Sequence, residues 1–217
     1  MLIRKRTFSA AVTGLLLLLS GVQAQHSVTF SSQSLCFVTG STVKIPCTFT
    51  PYHSRVTERQ WYRVQSSEGE PQDLKKVPEY SGRVSVNTGR SYCSLTVKNV
   101  RVSDSGVYNF RFKTWSSDWI SASSGVQLTV TDLQVKVDPN TVGQREVKVT
   151  CSSTCRLNTR RFYWYRNDQN INYTDDASTV LYSTSLYYEG SYSCKVYEST
   201  HRSPPVCKCQ SKSLLTV

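Results

Sequence analysis

After residue 25 the sequence has no apolar run approaching the roughly 20 residues that a helix needs to cross a bilayer. It has no glycine-rich phosphate loop. Its three histidines, His26, His53 and His201, are widely spaced and lack an accompanying nucleophile turn. These absences argue against nucleotide chemistry and against a Ser-His-Asp arrangement. His201 with Cys207 and Cys209 is the nearest approach to a metal set. Three ligands without a second CxxC pair are weak evidence for zinc, and thiols of an exported chain more often oxidise. The chain is therefore expected to be no enzyme and to need no cofactor or metal. Long blocks of one charge are also missing. The excess of Lys and Arg is dispersed, as in VKNVRV and RLNTRR, and favours anionic partners in general. Export makes nucleic acid the poorest of these.

Export is indicated by MLIRKRTFSAAVTGLLLLLSGVQAQ, with a basic start, an apolar run and small residues at Val22 and Ala24. This reads as a secretory signal peptide spanning residues 1–24. Arg4, Lys5 and Arg6 leave with it, so the formal charge falls from +11 to +8. The remainder is expected to be secreted, or to be the ectodomain of a single-pass plasma-membrane receptor that stops flush with the strand-like SLLTV. In an oxidising compartment its eight cysteines read first as disulfides.

The mature sequence repeats one unit. Cys47 in KIPCTF is followed fourteen residues later by Trp61, and Cys151 in KVTCSS thirteen residues later by Trp164. The first unit ends GVQLTV, the second KSLLTV, and TDLQVKV joins them without a flexible linker. Short β-branched and aromatic stretches separated by Ser, Gly, Pro and Asn predict an all-β chain. Cys…Trp spacing on such strands is the signature of an immunoglobulin sandwich, here twice. Trp61 and Trp164 are expected in the two cores.

The second unit is regular: Cys151 on strand B and Cys194 in EGSYSC on strand F predict an inter-sheet bond beside Trp164. In the first unit the run DSGVYNFRF puts Phe110 where the strand F cysteine belongs. The available cysteine is Cys93, in YCSLTV on strand E. Strands B and E share a sheet, about 5 Å apart, so Cys47–Cys93 is a feasible bond within one sheet. Phe110 would then fill the space between two sheets that no bond ties together. Cys36 and Cys155 are spare in their own units, and a Cys36–Cys155 bond would weld the domains. Cys207 and Cys209, one residue apart, do not readily bond to each other without strain, and one of them is an alternative partner for Cys36.

A first domain with a strand B–E disulfide, an extra cysteine bonded into a second domain, and D-S-G-x-Y-x-F-R on strand F resembles the sialic-acid-binding immunoglobulin-like lectins, the Siglecs. The spelling of VTFSSQSLC and CSSTC is similar to sialoadhesin-like and fish Siglec-like members. The resemblance covers the mature chain and implies a V-set domain at 25–131 and a C2-set domain at 132–217. It implies recognition of terminal sialic acid on the glycans of glycoproteins or glycolipids, with Arg111 binding the carboxylate and Trp119 packing on the glycerol chain. Groups around Ser116 and Ile120 would hydrogen-bond the sugar. Where the family carries a tryptophan on its first strand, this sequence has His26, with Phe30 as a substitute if it faces outward.

The residues support the same chemistry independently. Tyr108 and Phe110 alternate inward, so Arg111 points out of the sheet. Its planar fork matches a carboxylate as a lysine cannot. On strand position alone, Arg111 reads equally as a surface arginine paired with a neighbouring carboxylate, and Trp119 as a strand G packing residue. Trp115 lies closer to the turn than Trp119 and is the weaker claimant. Asn172 in NYT is a glycosylation sequon. A protein–protein adhesion or soluble decoy module on this scaffold is the alternative to a lectin, with cell-surface proteins as its partners.

Overall fold

The computed structural model describes residues 25–65, 69–141, 145–157, 159, 161–182 and 190–208. The signal peptide, Cys209 and SLLTV lie outside them. The described residues fold as two tandem immunoglobulin-like β-sandwiches, and their helical pieces are four 3-10 turns, Leu74–Lys76, Pro78–Tyr80, Val102–Asp104 and Pro139–Thr141.

In the first sandwich, β1 (Ser27–Phe30), β3 (Val43–Thr50), β6 (Tyr92–Val97) and β5 (Val84–Thr88) form the back sheet, in the order β1-β3-β6-β5. The front sheet runs β2 (Ser34–Val38), β9 (Val126–Thr131), β7 (Gly106–Thr114) and β4 (Val56–Arg63), with the short β8 (Ile120–Ser121) also on β7. The chain leaves the back sheet after Phe30 and rejoins the front one as β2, parallel to β9. Strand β3 shows why these segments are strands. Val43, Ile45, Cys47 and Phe49 are buried while the alternate residues are exposed, the period of two expected of a sheet wetted on one face.

Cys47 and Cys93 stand directly opposite each other on β3 and β6, with Cα atoms 4.9 Å apart, and are joined by a disulfide within the back sheet. Phe110 on β7 occupies the space between the sheets. It is fully buried, its ring 5.3 Å from Phe49 of the back sheet and 5.5 Å from Trp61 of its own sheet. An aromatic contact thus spans the interior where a covalent bond would otherwise run, and aromatic pairs at these separations add about 0.5–1.5 kcal/mol beyond burial.

Beneath this core, the Tyr108 hydroxyl donates to the Asp104 carbonyl at 2.6 Å and shares a hydrogen bond with the Tyr80 hydroxyl. Asp104 accepts from both terminal nitrogens of Arg83 at 2.7 and 3.0 Å, and from the Arg101 N–H. Burial alone would raise the Asp104 carboxyl; Arg83 and the Arg101 amide outweigh it and hold the group below its ordinary range.

The second sandwich pairs β10 (Gln134–Val137), β11 (Glu146–Ser152) and β14 (Ser178–Tyr182) against β13 (Gln169–Thr174), β12 (Phe162–Arg166), β15 (Gly190–Val196) and β16 (Val206–Lys208). Cys151 and Cys194 are bonded across its two sheets, Cα atoms 5.9 Å apart, and Trp164 faces Cys194 on the adjoining strand. Both sandwich tryptophans, Trp61 and Trp164, are buried. Asn172 is exposed on β13, which lies at the edge of its sheet.

Cys36 of β2 is bonded to Cys155 of the second domain, with Cα atoms 6.1 Å apart. Cys207 is also disulfide-bonded. Around the junction, Val38 packs into the second core with Leu133, and the Ser199 hydroxyl donates to the Thr39 carbonyl at 2.6 Å. Gly40 adopts φ +81°, and a Cβ there would stand 1.9 Å from Nδ1 of His201. Only glycine satisfies both the backbone angle and the close approach.

Candidate functional site: an arginine cleft on the front sheet

Strand alternation sends Tyr108, Phe110 and Phe112 into the core and Asn109, Arg111 and Lys113 to the outer face of the front sheet. On the adjacent β4 the residue opposite Arg111 is Gln60. The two side chains meet there: Nε of Arg111 donates to Oε1 of Gln60 at 2.6 Å. The segment after β4 then folds back across the sheet. Nη2 of Arg111 donates to the Pro71 carbonyl at 3.0 Å and to Oε1 of Glu70 at 3.3 Å.

Arg111 is also held between two aromatic rings. Its guanidinium carbon lies 4.2 Å from the centre of the Trp119 indole and 5.5 Å from the ring of Tyr62. Trp119 immediately precedes β8, whose residues Ile120 and Ser121 pair with Phe112 and Arg111. The turn that carries it is stitched by Thr114, which bonds the Ser117 hydroxyl at 2.6 Å and accepts from the Ser117 N–H, and by a Lys113–Asp118 ion pair at 3.4 Å.

The consequence is an arginine that faces outward yet is only 7% exposed. Strand position points it away from the core as expected, but Trp119, Gln60 and the Glu70–Pro71 segment cover it. The pairing with a carboxylate that strand position alone suggests is present, with Glu70. Among the described residues, Nη1 of Arg111 makes no hydrogen bond, so one edge of the fork is unused.

Around Arg111 lies an open cleft of about 480 Å³. Beside Trp119 and Arg111, its lining includes Glu58, Gln60, Glu70, Asp73 and Lys76. Carboxylates and cations are mixed here, so the cleft offers both hydrogen-bond acceptors and donors around an aromatic face. That composition suits a polar, hydroxyl-rich molecule carrying one anionic group. Among the described residues no group of His, Cys, Asp and Glu is arranged to hold a metal ion.

Of the residues expected at the site, Arg111 and Trp119 come together, and His26, Phe30, Ile120 and Ser116 do not line the cleft. His26 turns toward the interior and packs edge-on against Phe112, ring centres 6.0 Å apart. Phe30 likewise packs on the core, 6.0 Å from Trp61. The Ile120 side chain joins the core too, leaving only its backbone at the β7–β8 edge. Ser116 sits at the loop tip, sharing a hydrogen bond with Ser54 at 2.8 Å. Trp115 is there as well, 76% exposed, with Arg55 lying 5.6 Å from its ring. Gln60, Tyr62 and Glu70 are contributors that the sequence reading did not single out. A signal existed for Gln60 and Tyr62: they flank the core Trp61, so alternation places both on the outer face beside strand F.

Residues 30–131 match the immunoglobulin V-set domain. The chain is also similar to mouse butyrophilin subfamily 1 member A1, with 28% identity over 144 residues covering 59% of this chain and 27% of the butyrophilin. It thus spans about a quarter of the length of that curated relative. With this match, the tandem sandwiches and the disulfides, the first domain is an immunoglobulin V-set domain and the second is a further immunoglobulin-like sandwich joined to it.

Proposed function

We propose that this module recognises terminal sialic acid on cell-surface glycans, in the manner of the Siglecs that its sequence resembles. The observation that carries the reading is Arg111 stacked at 4.2 Å on Trp119 in an open polar cleft. The guanidinium supplies a planar donor to a carboxylate, and the indole supplies an apolar wall for the C–H face of a sugar chain. Glu58 and Asp73 would accept hydrogen bonds from ligand hydroxyls, and Lys76 adds a further donor.

A single charge pair at a surface cleft contributes roughly 1 kcal/mol. Binding of a single glycan is therefore weak, about the millimolar level that corresponds to roughly −4 kcal/mol. Clustering of several copies on one surface would supply avidity.

The test is cell and glycan-array binding by a multivalent Fc fusion, before and after sialidase, with Arg111→Lys and Arg111→Ala alongside. Binding should fall after sialidase and in both variants. Binding that survives sialidase and Arg111→Ala sinks the reading. Protein–protein adhesion or a soluble decoy role is the second reading, favoured by Trp115, which stands 76% exposed beside Arg55. Trp and Arg are the residue types that dominate protein interfaces. In that case binding is lost in Trp115→Ala and indifferent to sialidase.

A further inference from the structure

The acceptors around Arg111 are unequal. Gln60 and the Pro71 carbonyl are neutral, and both are part-buried with the arginine. The charged acceptor, Glu70, contacts it at 3.3 Å, the longest of the three hydrogen bonds, with a side chain 74% exposed against 9% for that of Arg111. Glu70 is also the sole carboxylate on this arginine among the described residues. Asp73, in the same cleft, instead accepts from the Lys75 N–H at 3.1 Å.

We propose that Glu70 is an internal competitor for Arg111, so that a ligand binds by exchanging its own carboxylate for that of Glu70. This rests on the reading of the cleft as a carboxylate site. The neutral acceptors fix the guanidinium in place while the exposed carboxylate occupies one donor of Nη2. The incoming group takes that donor and the unused Nη1. An exposed ion pair is weak enough for such an exchange to be cheap. The same arrangement discriminates. A neutral sugar offers Arg111 nothing better than what it already holds, whereas a carboxylate that engages two nitrogens gains over the single contact of Glu70. Glu70 thereby lowers affinity for every ligand that must displace it, and only one that gains more than the Glu70 contact binds at Arg111.

The experiment compares the intact protein with E70Q and E70A, using E79Q as a control that removes an equal, exposed charge from the same domain outside the cleft. The first readout needs no ligand: the rate at which phenylglyoxal, an arginine-selective dicarbonyl, modifies Arg111, followed by peptide mass spectrometry. The second is titration with the α-methyl glycoside of sialic acid, followed by NMR, with R111A included. Arg111 should react faster in both Glu70 variants and not in E79Q, and affinity for the sialoside should rise about threefold in E70Q. Equal modification rates in the wild type and E70Q overturn the proposal whatever the sugar does. Equal sialoside affinities in those two proteins, with binding lost in R111A, overturn it while leaving the glycan reading intact. Faster modification without sialoside binding in any variant supports the internal competitor and sinks sialic acid as the ligand.

Discussion

Arg111 and Trp119 lie in cation–π contact, the guanidinium carbon 4.2 Å from the indole centre, although eight residues and a turn separate them in the chain. This contact holds the arginine against the front sheet and gives the cleft its apolar wall. Replacing Trp119 by Ala removes about 1 kcal/mol of such attraction, while a half-buried side chain contributes little to the core. Trp119→Ala should weaken glycan binding several-fold and lower Tm by a few degrees, as a loss of about 1 kcal/mol does in a domain of this size, and Trp119→Phe should recover part of both losses. Parallel binding and thermal melts check this.

Phe110 stands where an inter-sheet disulfide would place a cysteine, and it is fully buried between Phe49 and Trp61. Truncation to Ala leaves a cavity at the centre of the sandwich. The expected cost is about 3–5 kcal/mol, measured by denaturant unfolding. Phe110→Leu, which keeps most of the volume, should cost markedly less.

The Cys47–Cys93 bond closes a sequence separation of 46 residues. Chain-entropy reasoning puts its contribution near 4 kcal/mol, with strain able to reduce that. The Cys47→Ala/Cys93→Ala pair should therefore unfold at much lower denaturant. Its Arg111-dependent binding per folded molecule should be unchanged, because the bond lies in the sheet opposite the cleft.

Asp104 makes the first domain acid-sensitive. Its carboxyl is held below the ordinary range in the folded state despite burial, chiefly by Arg83. The stabilisation is fully present above the unfolded value of about 3.9 and is lost as pH falls through the lower folded value. Stability measured between pH 6 and 2 should drop more steeply in the wild type than in Asp104→Asn. At neutral pH that variant should be the less stable of the two, because Arg83 is left without its charged partner.

At the domain junction, Gly40→Ala should destabilise by more than 1 kcal/mol, since an Ala there meets both the positive φ and the His201 ring. His201→Ala in the same chain removes the closest of the clashes but leaves the Thr200 hydroxyl at 2.6 Å and the backbone strain, so the double variant should recover only partly. Differential scanning calorimetry separates the two contributions.

Much of this architecture was legible in the sequence because it rests on short-range rules. The alternation in VKIPCTF fixes β3, and the Cys…Trp intervals locate both cores. The phenylalanine in DSGVYNFRF directs attention to Cys93. The same alternation sends Arg111 outward. Its degree of burial was not legible, because that depends on where the Glu70–Pro71 segment crosses the sheet, a contact forty residues away with no periodic signature. His26 misled for a related reason. Near the start of the described chain, alternation has few residues to act on, and the side chain took the available apolar neighbour, Phe112.

The position of the disulfides also bears on how the molecule carries mechanical tension. Arg111 sits on β7, which pairs with β9, and β9 runs directly into the second domain. The other link, Cys36–Cys155, starts from β2, which pairs with β9 in the same sheet. A pull exerted on a ligand in the cleft therefore passes through the front sheet alone and leaves it by two covalent exits. The back sheet, cross-linked internally by Cys47–Cys93 and joined to the front by core packing and the loops between strands, lies outside that path. Under load between two surfaces, the front sheet would stay anchored to the second domain even while the back sheet loosened.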